Sequence, residues 1–173
     1  VLGFGRSFDH APGHHGAGVD GLRRAIEGAL AGAGLEPAGI GHVNAHGMSE
    51  IEADRLEAEA IRRCLGAAPV PAPKSYFGCL GAGTGAVEMA ASVMAIATGI
   101  VPATLNYEVP DPACPVNVVH GQPLTTGRRT AMRCCNLLPR KYTTSPPPKA
   151  DKASIVWASA LLAAVITRSS SMD

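Results

Sequence analysis

The chain has 173 residues, 46% of them hydrophobic, and a formal net charge of +1. This suits a globular domain with a real core. The near-zero charge gives no signal for nucleic acid or an anionic membrane as partner, and aromatics at 4% leave the packing to Ala, Val, Leu and Ile.

Residues 1–8 (VLGFGRSF) read as a strand, and the start at Val1 inside that run suggests an excised piece of a longer protein. The loop 9–18 holds His10, His14 and His15 but no i, i+4 pair on a helix and no nearby thiol, so it is expected to be solvated and not a metal site. Residues 19–33 place Leu22, Ile26, Ala29 and Ala33 on one helical face, and Gly34 supplies the stop. Residues 40–45 suit a short strand. Ser49 is the expected cap of a helix reaching Leu65, with Glu50 and Glu52 at its positive end and Ala53, Leu56, Ala60 and Cys64 inward. The proline-rich 69–73 is extended and leads to Lys74 and a glycine loop. The spacing predicts a helix over 84–98 that is apolar almost all round and so buried on most sides; its one charge, Glu88, then needs a partner or a wet cavity. A proline-punctuated connection, 100–112, and a strand at 116–120 complete a β-α-β-α-β-α-β order, which is an α/β layout.

Near residue 127 the character of the chain changes. Residues 1–127 carry 7 Lys+Arg against 12 Asp+Glu and all 20 glycines, whereas 128–173 carry 8 against 2 and no glycine. RRTAMRCCN still suits a strand, LPRKYTTSPPPKADK reads as an irregular linker, and the apolar stretch 153–166 is read as a helix without an evident partner. That stretch is also shorter than the ~20 residues a spanning helix needs. The five cysteines have no zinc-ribbon spacing, so reduced thiols in the cytoplasm are the expectation.

Three places could carry chemistry. His46 stands at the mouth of a strand before a helix start, either as a hydrogen-bond donor to an oxyanion or as a packed ring bonded to a carbonyl. Lys74 and Cys79 flank Gly78 where glycines free backbone N–H groups; the plain alternative for Cys79 is a buried small hydrophobe. Glu88 is either functional or half of a structural ion pair.

NAHG at 44–47, Asp54 and Glu57, KS–x–x–G at 74–78, GAVE at 85–88 and IVPATLNYEVPDP at 100–112 occur in series with matching gaps. Together they resemble the C-terminal half of a β-ketoacyl-[acyl-carrier-protein] synthase of the thiolase superfamily, from about Val1 to Gly127. The resemblance implies one half of an α-β-α-β-α sandwich, a mixed sheet flanked by helices. It also implies decarboxylative Claisen condensation of malonyl-carrier with an acyl thioester, with acyl carrier protein as partner, an N-terminal half bearing the nucleophilic cysteine, and a dimer in the intact enzyme. No cofactor or metal is implied. His46 matches the first of two histidines that polarise the malonyl thioester, Lys74 the lysine that supports it, Glu57 that lysine's acidic partner, and Asp54 and Glu88 supporting acids.

The chain departs from the family at definite positions. Cys79 replaces the second histidine of KS–x–x–G–H. Met48 and Glu50 replace a threonine pair that contacts the carrier's pantetheine arm, and Gly78 is a further expected substrate-binding position. The glycine-rich loop expected after Asn136 is missing, which together with the charge jump suggests a divergent or frame-shifted, largely irregular end over 128–173. Impaired decarboxylation is therefore expected, with altered chemistry at Cys79 as the other outcome. The alternatives are a non-catalytic subunit resembling a chain-length factor, or an inactive fragment.

Overall fold

The computed structural model describes residues 1–7, 18–127, 130–136 and 161–167. The histidine loop, apart from Gly18, and the proline-rich linker lie outside the described residues.

The main sheet has the order β1-β8-β7-β2, from β1 (Gly3–Ser7), β2 (His42–Asn44), β7 (Thr130–Asn136) and β8 (Leu161–Thr167). β8 runs antiparallel to both β1 and β7, whereas β2 and β7 are parallel, so the sheet is mixed. Two small pairs extend the fold: β3 (Pro69–Val70) with β5 (Asn117–Val118), parallel, and β4 (Ile100–Val101) with β6 (Leu124–Thr125), antiparallel. The Ala45 amide donates to the Pro71 carbonyl, joining the end of β2 to β3.

Side chains on a strand alternate between faces, and here the alternation separates two environments. Val43, Met132 and Cys134 enter one core with Leu22, Ala25, Ile26 and Ala29 of helix α1 (Val19–Ala33) and Ala60, Ile61 and Leu65 of helix α2 (Ile51–Leu65). The intervening residues serve the other face, where Ala131 packs with Ile96 of helix α4 (Thr84–Thr98) and Asn44 bonds that helix. The α1 and α4 spans and the Gly34 stop, with φ of 64°, follow the sequence reading.

Five expectations change. In α2 the buried face is Glu57, Ala58, Ala60, Ile61 and Leu65, while Ala53, Leu56 and Cys64 are only partly covered. The helix is rotated because Glu57 points inward to accept backbone amides. Ser49 does not cap it: Glu50 occupies that place without a side-chain cap bond. Lys74 lies on a single-turn helix α3 (Lys74–Phe77). α4 is not buried on most sides. Its charged and polar residues Glu88 and Ser92 are interior, at 0% and 1% exposure, while Val93 and Met94 are 48% and 66% exposed. The stretch read as a helix near the chain end supplies β8 instead; a short apolar run such as LLAAVIT is ambiguous in sequence, and β1 and β7 both offer it a ladder. No helix among the described residues is long and apolar enough to cross a membrane.

β1 and α1 meet backbone to backbone. A Cβ on Gly5 would collide with the Ala25 carbonyl and Ala29 amide, and one on Gly3 with the Ala29 carbonyl and Ala33 amide. Since main-chain atoms cannot step aside like a side-chain tip, Gly5→Ala should lower stability by about 3 kcal/mol, measured as a fall in the urea midpoint of the protein.

Candidate functional site

Two carboxylates shape the loop after β2. Glu57 and Asp54 stand three residues apart on α2, hence on one side of it. Glu57 accepts the His46 amide at 2.7 Å and the Gly47 amide at 3.0 Å, and Asp54 accepts the Met48 amide at 3.0 Å. The loop is thus pinned by its backbone, which leaves the His46 ring free for other duty. Burial raises the Glu57 pKa, opposed by the two amides.

Lys74 reaches that ring from α3. Its Nζ lies 3.2 Å from His46 Nδ1, donates to the His46 carbonyl at 2.5 Å, and pairs with Glu88 Oε1. An ammonium has three N–H groups and no acceptor, so these contacts use all of its donors. The contact with Nδ1 makes that nitrogen the acceptor and leaves the ring proton on Nε2, ready to be donated. The family resemblance implies Glu57 as the acidic partner of Lys74. The structure corrects this, because Glu57 is turned to the loop amides and Glu88 is the lysine's carboxylate. Glu88 has no exposed surface, and its second oxygen takes Arg133 Nε at 3.0 Å and Nη2 at 2.6 Å. Burial comes first, with the cations Lys74 and Arg133 adding to it, in lowering the His46 pKa to about 4; Glu88 opposes. The imidazole is accordingly neutral near pH 7.

A cavity of about 520 Å³ opens beside this cluster, lined among others by Gly47, Met48, Glu57, Lys74, Gly78 and Cys79. Glu50 is exposed and not among the lining residues. Cys79 is exposed, not the buried hydrophobe of the plain reading. Its thiol pKa is lowered, first by the Gly81 amide and then by Thr84, whose Oγ1 lies 3.8 Å from Sγ. A thiol remains a weak donor beside an imidazole. Among the described residues no group of His, Cys, Asp and Glu is arranged to hold a metal ion.

Arg133 escaped the sequence reading because it lies in the segment after 127, where the pattern fails. The only signal was RRTAMRCCN itself, an arginine inside a strand-like run. Asn44, within NAHG, also works structurally: its Nδ2 donates to the Glu88 carbonyl at 2.8 Å and Ser92 Oγ at 2.9 Å, fixing α4 to β2.

The family described as "Beta-ketoacyl synthase, C-terminal domain" matches residues 1–108. Among curated relatives, "Putative polyketide beta-ketoacyl synthase 1" of Streptomyces cyaneus is 39% identical over 120 residues, 67% of this chain and 28% of that protein. "3-oxoacyl-[acyl-carrier-protein] synthase 2" of Synechocystis sp. is 43% identical over 106 residues, 59% of this chain and 26% of that protein. The solved structure "The ishigamide ketosynthase/chain length factor" is 28% identical with a TM-score of 0.75, covering 98% of this chain and 38% of its own. The chain thus spans just over a quarter of those curated relatives, and the fold is one half of a thiolase-like sandwich.

Burial also lowers the pKa of His42 to about 4, and its Nδ1 is buried with no hydrogen-bond partner among the described residues. A histidine depressed in the fold and ordinary in the unfolded chain contributes fully above pH ~6.5, and the contribution is lost as pH falls toward 4. Between pH 7 and 5 the urea midpoint should fall, and His42→Phe should remove about 1–2 kcal/mol of that loss, read from paired unfolding curves at the two pH values.

Proposed function

The chain belongs to the β-ketoacyl synthase family, whose C-terminal domain it carries, and on that premise we propose that it is the C-terminal part of a β-ketoacyl-[acyl-carrier-protein] synthase. Residues 1–127 form that domain, and 128–173 form a divergent end that still contributes strands to it. The observation that carries the reading is the contact between Lys74 Nζ and His46 Nδ1, which leaves an Nε2–H donor on a ring whose neighbours Gly47 and Lys74 line the cavity. The reaction is a decarboxylative Claisen condensation in fatty-acid or polyketide synthesis. A cysteine of the N-terminal half, outside this chain, holds the acyl group as a thioester. The malonyl thioester then breaks its bond to the carboxylate and releases CO2. The electron pair passes into an enolate, whose oxygen accepts the hydrogen bond of His46. The enolate carbon attacks the acyl carbonyl, and the cysteine thiolate leaves.

The partners follow the same reading: an acyl carrier protein delivering the malonyl group to the cavity past Met48 and Gly78, the N-terminal half, and a second subunit in the cytoplasm. The apolar flank of α4 at Val93 and Met94 supports it, since such a flank suits burial against another layer. Glu50 sits outside the cavity lining and would meet the carrier at its rim.

Activity is impaired in this reading because Cys79 stands where a second donor is needed, and loss of one oxyanion donor costs about 10²–10³ in rate. The same observation favours a second reading, a non-catalytic subunit resembling a chain-length factor.

Release of CO2 from a malonyl thioester by the full-length protein separates the two. In the enzyme reading a slow rate is seen, His46→Ala lowers it by about 10²-fold, and Cys79→His raises it at least about tenfold. No release by the parent or by Cys79→His sinks the enzyme and leaves the subunit.

A further inference from the structure

Glu88 is met by two cations, and the second comes from beyond residue 127. Arg133 of β7 is the ladder neighbour of Asn44 of β2, on the face that looks at α4. It is 6% exposed, and its Nε and Nη2 grip the Glu88 oxygen that Lys74 does not take. Gly85 gives the guanidinium its room: a Cβ there would stand 3.3 Å from Nη2. Partner and space are both provided for a large buried cation.

Charge balance says what this cation is for. Among the described residues, the groups facing His46 come from four elements: Lys74 from α3, Glu88 from α4, Arg133 from β7, and Glu57 from α2 beneath the backbone of the loop. Lys74 alone would face two carboxylates. The floor of the site would then be net negative, and any anion forming over it would be repelled through a medium that screens poorly. Among the described residues, Arg133 makes the cluster two against two. It also takes one Glu88 oxygen for itself, so the lysine's field is not spent wholly on that carboxylate.

Resting on the reaction proposed above, we infer that Arg133 is a positioning residue of the site: by sharing Glu88 it leaves the positive field of Lys74 directed at His46 and at the anion forming on the thioester oxygen. The sequence beyond residue 127 is thereby part of the chemistry, through one side chain on one strand.

The test is an NMR titration of the His46 ring in the full-length protein, with release of CO2 from a malonyl thioester followed on the same samples. In Arg133→Gln the ring gains about tenfold in proton affinity and CO2 release falls by about tenfold or more. Arg133→Lys keeps the charge and leaves the ring within about twofold of the parent. Should Arg133→Gln not fold, the paired exchange Glu88→Gln with Arg133→Gln carries the test. It removes one charge of each sign, and the ring is again expected within about twofold of the parent; a larger gain in proton affinity overturns the inference. A folded Arg133→Gln protein whose ring titrates like the parent's overturns it too, even if CO2 release falls. A parent that never releases CO2 overturns the reaction and not the charge balance, which the titration decides by itself.

Discussion

A carboxylate with no exposed surface keeps its charge only if cations are held against it. In this protein that carboxylate is Glu88, and much of the site's arrangement follows from how it is satisfied. One oxygen draws Lys74 across from α3, and the other draws Arg133 up from β7. Lys74, once drawn, has two remaining N–H groups, and both go to His46. The ring's orientation and the location of its proton are consequences of a buried charge being neutralised on another helix.

The same demand accounts for α4 sitting polar side inward. A helix normally turns its charges to water. Here the sheet face beneath α4 presents Asn44 and Arg133, so the helix turns toward them, and its Val93 and Met94 flank faces outward. The sheet has separate chemistry on its two faces: an aliphatic core under α1 and α2, and under α4 a layer in which charged and polar groups sit beside a small apolar contact of Ala131 with Ile96. Period-two alternation within β2 and β7 is sufficient to produce that division.

Much of this was legible in the residues. The α1 and α4 spans follow from spacing, whereas Asp54 and Glu57 stand out only through the family resemblance, which does not tell that they hold backbone amides. Three features were not legible. Which face of α2 turns inward depends on a carboxylate bonding to a loop, and periodicity weighs only apolarity. The inversion of α4 depends on what the sheet offers, a tertiary fact. Arg133 lies after the break in composition, where no local pattern told a strand with a buried cation from an irregular end. The roles of Met48, Glu50 and Cys79 rest on the resemblance and not on spacing.

The glycine contact between β1 and α1 bears on where this fold can yield. Side chains between a strand and a helix act as a compliant layer that lets the two slide by small rotamer adjustments. Main chain seated on main chain removes that layer at Gly3 and Gly5, so strand and helix are constrained to move as one plate. The exposed Cys79–Gly83 turn, between the end of α3 and α4, has no such seat. A Cβ at Gly78 or Gly81 would meet nothing within 4 Å, and Gly78 and Cys79 border the cavity, so side chains can be exchanged on that border at far smaller steric cost than between β1 and α1.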